Sequence, residues 1–300
     1  MPFVLTYFSP IPWSALSPDQ PQDKDGRTAF YKAAQKGHTA VVLLMVNGGK
    51  VDMNQANDSG VTPLSVAAYG GHTEIVALLI KDGKANVNHA DKNGRTALIQ
   101  AAQNGHKETT ALLMNQGKAN VDQAENGGTT PLFIAAQEGK MDIAALLIKD
   151  GKANVNQASN NGATPLFIAA LNGHSEIVEL LITEGKAAVD KAENHGATPL
   201  YAAANNGHTE VAALLLKDGM ANLDHAIIDG RTPLFQAALE GHTEIAALLV
   251  NAGADVNIAA SQGHSHLSGN TPLMIAKQMG HQAIVALLLT CGRFDWRRNV

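Results

Sequence analysis

The sequence is poor in cysteine, in net charge and in long apolar runs. Cys291 is the only cysteine among 300 residues, so the chain has no internal disulfide and no cysteine-based zinc cluster. Its net charge of −5 at pH 7 gives no bulk attraction for nucleic acid or for an anionic membrane. No apolar run reaches the roughly 18 residues that a spanning helix needs. We therefore expect a cytoplasmic protein that binds no nucleic acid and does not insert into membranes.

The first residues also lack the basic start of a conventional secretion signal, and prolines interrupt them repeatedly. Phe3, Tyr7, Phe8 and Trp13 make this stretch rich in aromatic side chains. We interpret residues 1–24 as a leader that either caps the first repeat or binds a partner. The composition as a whole is 45% hydrophobic, which is enough to bury a core.

One glycine recurs every 34 residues along most of the chain, at Gly26, Gly60, Gly94, Gly128, Gly162, Gly196 and Gly230. Its next equivalent, Gly269, follows after 39 residues, which indicates an insertion near 258–268. This periodicity predicts eight structural units over residues 25–295, followed by a tail at 296–300.

Each unit has the signals of two short helices. Thr164 is placed as an N-cap before Pro165 at the first helical position, and Gly173 has the conformational freedom to end that helix. The run EIVELLI at 176–182 has apolar residues at helical spacing, and Gly185 follows its end. Neither helix reaches the roughly 12–15 residues needed for stability alone, so neighbouring units must stack.

The segments GVTPLSVAAYGGHTEIVALLIKDG (60–83) and GATPLFIAALNGHSEIVELLITEG (162–185) resemble the ankyrin repeat. This resemblance implies an all-α repeat solenoid, in which helix-turn-helix units joined by β-hairpin-like loops form a curved, elongated stack. The period of 34 residues departs from the roughly 33 residues that are usual in the family. One residue is added after the glycine that follows most second helices. It also replaces the usual histidine of TPLH, mostly with aromatic residues.

Rows of identical residues invite a chemical interpretation, and a structural one competes with it. Seven histidines occupy the slot after the turn glycine, too far apart to share a metal, and we expect them to form hydrogen bonds within the turn: His38, His72, His106, His174, His208, His242 and His281. An aromatic row at Phe133, Phe167, Tyr201 and Phe235 suggests packing between first helices, with a cofactor-stacking strip as the alternative. His264 and His266 in the insertion are a weak chelating pair or only part of a loop. The familiar catalytic motifs are absent, so we predict no catalytic residue, no cofactor and no metal site.

Recognition is expected where the repeats differ from one another. The resemblance places a partner on the concave face, along loop tips and the exposed sides of the first helices. The positions that we predict to bind a partner are Tyr69, Arg95, Gln103, Gln137, Asn161, Leu171, His195, Asn205, Ile228, Arg231 and Leu239. We call these eleven residues the recognition strip.

The sequence thus predicts a non-catalytic, monomeric module that binds a protein or an extended peptide on this strip. Two alternatives stay open. The chain is the targeting arm of a larger enzyme, or it is an effector of an intracellular bacterium that acts on host proteins in the host cytoplasm, since Asn- and Lys-rich ankyrin arrays of such bacteria are similar to it.

Overall fold

The computed structural model describes residues 22–49, 51–81, 85–261 and 267–291. Within these ranges the regular secondary structure is entirely helical, in eight consecutive helix pairs. The helices are α1 (Ala29–Gln35), α2 (Thr39–Asn47), α3 (Pro63–Tyr69), α4 (Thr73–Lys81), α5 (Ala97–Gln103), α6 (Lys107–Asn115), α7 (Pro131–Gln137), α8 (Met141–Lys149), α9 (Pro165–Asn172), α10 (Ser175–Thr183), α11 (Pro199–Asn206), α12 (Thr209–Lys217), α13 (Pro233–Glu240), α14 (Thr243–Asn251), α15 (Pro272–Met279) and α16 (Gln282–Cys291).

The chain divides into two compact units, Met1–Asn126 and Gly127–Val300. In the first unit, α3 packs between α1 and α5, and α4 packs between α2 and α6. In the second unit, the first helices α7, α9, α11, α13 and α15 pack in chain order, as do the second helices α8, α10, α12, α14 and α16. Each repeat therefore buries its apolar faces against its neighbours, and the predicted repeat solenoid is confirmed.

Every first helix begins after a threonine that caps it. The Thr164 hydroxyl oxygen accepts a hydrogen bond from the Phe167 backbone N–H at 3.1 Å, and Pro165 occupies the first turn, where no donor is required. Gly173 ends α9 with a left-handed φ of +77°, as predicted. The boundaries of the first helices were therefore predictable from single residues.

Small side chains on the first helices allow the repeats to approach closely. In the fifth repeat Leu166, Ala169 and Ala170 are fully buried on α9, and Leu181 is fully buried on α10. The aromatic row is buried as well, and Phe133 and Phe167 share one apolar cluster. The row therefore belongs to the core and offers no exposed stacking strip.

The end of the second helix differs from the simplest expectation. After α10 the left-handed backbone lies at Lys186, whose φ is +55°, and not at Gly185. A Cβ added to Gly185 would lie 2.8 Å from the Leu181 carbonyl oxygen, so this glycine is required for close approach. Lys186 is the additional residue of the 34-residue period, and it reverses the chain direction here. Its left-handed conformation is one that L-residues adopt with strain.

The loops between repeats close on themselves without forming strands in the part of the chain that the structure describes. Ser159 N–H donates to the Ala163 carbonyl at 2.9 Å, and a single bond of this kind recurs from loop to loop. The loops resemble β-hairpins only in this closing hydrogen bond.

Candidate partner-binding surface

Neighbouring loop tips are joined by one backbone hydrogen bond per repeat. In the second unit, Asn194 N–H donates to the Asn161 carbonyl at 2.9 Å and Ile228 N–H donates to the His195 carbonyl at 3.0 Å. The backbone of these strip positions is therefore held, while the side chains of Asn161, His195 and Ile228 are exposed. A held backbone with exposed side chains suits recognition, because less conformational freedom is lost on binding.

A polar side chain three residues before the loop glycine shapes several of these tips. In the sixth repeat Glu193 Oε1 accepts the backbone N–H of His195 at 2.8 Å and that of Ala197 at 3.1 Å. Its other oxygen lies 2.9 Å from the His195 ring Nδ1. Burial raises the pKa of the Glu193 carboxyl, but these hydrogen bonds from His195 and Ala197 outweigh burial and leave the pKa below its ordinary value.

The histidine row connects the repeats to one another. His208 Nε2 lies 3.0 Å from the carbonyl oxygen of Leu171 in the preceding repeat, and His242 Nε2 lies 3.2 Å from that of Asn205. The expected structural role is correct, but the expected partner within the turn is wrong, because the ring reaches across to the end of the previous first helix. Five of the seven histidines, His106, His174, His208, His242 and His281, meet carbonyls of strip positions in this way, so these five fix part of the strip backbone.

A hydrogen-bonded cluster of polar side chains surrounds Gln236, a residue of α13 that is 3% exposed. Gln236 Oε1 accepts from the Tyr201 hydroxyl at 2.8 Å and from Arg231 Nη1 at 3.3 Å. Gln236 Nε2 donates to Asn205 Oδ1 at 2.7 Å and to Glu240 Oε1 at 3.1 Å. The buried amide thus holds two strip residues, Asn205 and Arg231, in one arrangement.

The members of this cluster, which we call the Gln236 cluster, differ in their access to solvent. Tyr201 is buried, and its burial raises the pKa of the phenol to about 12. The nearby Arg231 guanidinium lowers that pKa in part, and Asp229 and Glu240 raise it. Arg231 also lies 3.2 Å from Asp229, whose side chain is 56% exposed. The arrangement places a guanidinium and the Glu240 carboxylate at the surface, where the buried Gln236 side chain holds them by hydrogen bonds.

The apolar strip positions fall into two groups. Tyr69 and Ile228 are 54% and 72% exposed, which is unusual for side chains of their size. Leu171 and Leu239 are half-buried, and Leu171 packs against the cluster of Phe133 and Phe167. Ile228 is therefore an exposed apolar position of the strip in the second unit, while Leu171 packs against the core.

In the first unit the strip consists of Tyr69, Arg95 and Gln103. Arg95 is engaged by its own loop, since its Nε lies 3.1 Å from Asp91 Oδ2. Gln103 is half-buried at the end of α5, and the Tyr69 carbonyl is 2.9 Å from the His106 ring. Gln137, in the second unit, donates from Nε2 to Glu138 at 3.0 Å. None of these strip residues is buried.

Sequence reasoning missed three residues that organise the strip, Gln236, Tyr201 and Glu193. One signal was available for the first of them. The slot of Gln236, four residues after the capping threonine, is apolar in most repeats: Val66, Ile134, Ile168, Ala202 and Ile275. A polar residue in an apolar slot of a repeat needs a buried partner, and that requirement points to the cluster.

Over the described ranges, no group of three histidine, cysteine or acidic side chains is placed to hold a metal ion. His264 and His266 lie outside the described residues. No helix in those same ranges is long and apolar enough to cross a membrane.

The comparisons with known proteins agree with the repeat architecture. The family model described as "Ankyrin repeats (3 copies)" matches residues 13–91, 83–159, 151–226 and 219–299. Together these matches cover nearly the whole chain. No curated protein matched it.

Proposed function

Since the chain belongs to the ankyrin-repeat family, whose repeats generally serve as protein–protein interaction modules, we propose that it is a non-catalytic module whose second unit binds an extended peptide segment. The binding surface is the part of the recognition strip formed by the loop tips at Asn161, His195 and Ile228 together with Asn205 and Arg231.

The Gln236 cluster is the observation that carries this proposal. It places amide, guanidinium and carboxylate groups at fixed positions through four hydrogen bonds to one buried side chain. Because these groups are ordered before a partner arrives, little conformational entropy is lost on binding. A peptide backbone offers alternating donors and acceptors that such groups can match.

Ile228 supplies the apolar part of the surface. Its side chain is 72% exposed, and its backbone N–H is held by the His195 carbonyl at 3.0 Å. An apolar side chain on a fixed backbone, beside an ordered polar cluster, has the composition of an interface hot spot with its polar rim. The aliphatic anchor and the cluster together favour a peptide that combines an apolar residue with polar neighbours.

Selection of peptides from a random display library on the purified chain tests the proposal. We expect selected peptides to lose about 10- to 30-fold in affinity with Ile228→Ser, which corresponds to the cost of removing one interface anchor. Met220→Ser is the matched control, because Met220 is 84% exposed but lies outside the strip. Peptides that bind Ile228→Ser as well as the wild type, or that lose affinity only with Met220→Ser, would contradict the proposed surface.

A further inference from the structure

One buried polar atom in the first unit has no hydrogen-bond partner. Gln100, on α5, is 6% exposed, and within the described ranges its Oε1 is the one buried side-chain nitrogen or oxygen that pairs with nothing. Native proteins pair nearly all such atoms, because a buried acceptor that has left water without gaining a donor lowers stability. This oxygen is therefore placed to accept a hydrogen bond from a bound molecule.

The seventh repeat shows which donor suits this slot. Gln236 occupies the slot there, and its Oε1 accepts from the Tyr201 hydroxyl at 2.8 Å and from Arg231 at 3.3 Å. Tyr201 belongs to the preceding first helix, so a phenol that approaches from the side of that helix reaches the amide oxygen. Gln100 has the same place in its own repeat, four residues after the capping Thr96.

Ser65 removes the phenol from the neighbourhood of Gln100. It occupies the Tyr201 slot on α3, the first helix that precedes α5. Its hydroxyl oxygen accepts from Thr62 at 3.1 Å, and its short side chain ends well before the point where a tyrosine hydroxyl would lie. The preceding repeat therefore offers no phenol to the glutamine oxygen.

Arg95 is engaged elsewhere, and it narrows the choice of ligand. Its Nε lies 3.1 Å from Asp91 Oδ2, and it does not donate to Gln100. Its guanidinium remains in the same repeat and opposes a second cation beside the glutamine. A phenol carries no charge, and its hydroxyl both donates and accepts, so it can pair with either polar atom of the amide.

Tyr69 forms the outer wall of this site. It occupies the slot of Asn205, which reaches the Gln236 amide at 2.7 Å in the seventh repeat, so the Tyr69 side chain starts beside Gln100. More than half of the Tyr69 side chain is exposed. Rotamer changes of exposed side chains are common when partners bind, and rotation of this ring uncovers the glutamine. The rotated ring also offers a second aromatic ring an edge or a face to pack on.

We propose that the first unit has a binding site for a tyrosine side chain of a partner, whose hydroxyl donates to Gln100 Oε1 as the Tyr201 hydroxyl donates to Gln236. The partner's ring packs against Tyr69 after that side chain has rotated. Recognition explains why a glutamine occupies a slot that is apolar in most repeats, although an unpaired buried oxygen lowers stability. The site does not depend on the peptide surface proposed for the second unit.

Titration of the purified chain with N-acetyl-L-tyrosinamide, followed by NMR, tests this site. The control probe is N-acetyl-L-phenylalaninamide, which has the same ring without the hydroxyl. We expect the tyrosine probe to shift the Gln100 side-chain amide signals and to bind about 3- to 10-fold more tightly, as one additional hydrogen bond provides. Gln100→Leu should remove this preference. Gln116→Leu is the matched control, because Gln116 is exposed at the end of α6 in the same repeat, and it should keep the preference.

A double variant tests the same contact without removing the glutamine. Ser65→Tyr combined with Tyr69→Asn gives Gln100 the neighbours that Gln236 has, so a hydroxyl of the same chain should pair with its oxygen. We expect this variant to lose the preference for the tyrosine probe. Circular dichroism checks that each variant folds, and Gln100→Leu decides alone if the double variant does not.

Three results would overturn the proposal. The first is equal affinity of the wild-type chain for the tyrosine and phenylalanine probes. The second is a preference for the tyrosine probe that survives in Gln100→Leu. The third is tighter binding of N-acetyl-L-argininamide at Gln100, which would assign the site to a guanidinium and not to a phenol.

Discussion

The third and seventh repeats use the same residues in different ways. Both have an arginine before the capping threonine and a glutamine five residues after that arginine, Arg95 with Gln100 and Arg231 with Gln236. In the seventh repeat the glutamine oxygen accepts two hydrogen bonds, one of them from the arginine. In the third repeat the equivalent oxygen of Gln100 is buried and accepts none.

The first reason for the difference lies in the loop. Asp91 holds Arg95 in the third repeat, and Ile227 occupies the same loop position in the seventh. The Ile227 side chain has no oxygen to accept from the guanidinium, and Arg231 instead bonds Gln236 and Asp229. One residue three positions before the loop glycine thus decides whether an arginine closes its own loop or joins the surface cluster.

The second reason lies in the preceding repeat. Tyr201 and Asn205 bond Gln236, whereas the equivalent positions before Gln100 hold Ser65 and Tyr69. The Ser65 hydroxyl is engaged by Thr62 at 3.1 Å. The hydrogen bonds at the surface of a repeat therefore depend on side chains of the preceding repeat as well as on its own sequence.

Replacing the two glutamines by leucine should separate these repeats most clearly. Gln236→Leu leaves buried polar partners unpaired, and we expect it to lower the free energy of unfolding by about 2–3 kcal/mol. Gln100→Leu removes an unpaired buried oxygen from a slot that holds Ile134 and Ile168 elsewhere, so its effect should lie between zero and a gain of about 1 kcal/mol. Urea denaturation followed by circular dichroism measures both. Equal losses would show that the two glutamines are equivalent.

The loop acid gives the next largest effect. Asp91 is 7% exposed, and its Oδ1 accepts the backbone N–H groups of Asn93 at 2.8 Å and Arg95 at 2.9 Å. Asp91→Ala leaves these donors unpaired and should cost about 2 kcal/mol. Asp91→Asn should cost less than about 1 kcal/mol, because it keeps the acceptor and loses only the ion pair.

Asn57 supports this expectation, since it fills the same loop position in the second repeat and caps its loop in the same way. Hydrogen exchange at the Asn93 and Arg95 amides reports the effect locally. Unchanged protection in Asp91→Ala would contradict the role assigned to the carboxylate.

The smallest effects are expected where the two repeats end. The third ends on Lys118 with a φ of +54°, and the seventh ends on Gly253 with a φ of +97° and without the additional residue. Gly253→Ala meets no atom within 4 Å, so backbone strain alone should lower the free energy of unfolding by about 1 kcal/mol. Lys118→Gly should raise it by up to about 1 kcal/mol, since glycine adopts this conformation without strain. Thermal denaturation of both variants checks the opposite signs.

Much of the repeat architecture could be predicted, because the starts and ends of its helices depend on local sequence signals. Thr164 with Pro165 starts a helix and Gly173 ends it, whatever lies around them, and the 34-residue spacing fixes how often this happens. The histidine row was assigned a structural role correctly. Its partner was not, because the carbonyl that His208 meets belongs to Leu171, 37 residues earlier, and spacing alone cannot tell a bond within a turn from one between repeats.

The sequence predicts the recognition strip as a set of positions, and that remains a prediction; it does not predict the contacts that these residues make. Leu171 and Ile228 look alike as exposed apolar positions in the sequence, yet Leu171 packs against the cluster of Phe133 and Phe167 while Ile228 is 72% exposed. Gln236 and Tyr201 were missed because their importance comes from a pair of side chains 35 residues apart.

The amino-acid sequence by itself determined the repeat, its period and the ends of its helices, because caps and turn glycines act over a few residues. Only the tertiary structure decided which arginine bonds a buried glutamine, which leucine packs against the core and which glutamine has all its hydrogen bonds made. Those outcomes depend on hydrogen bonds and packing between successive repeats, whose strength is set by burial and distance rather than by the identity of any one residue.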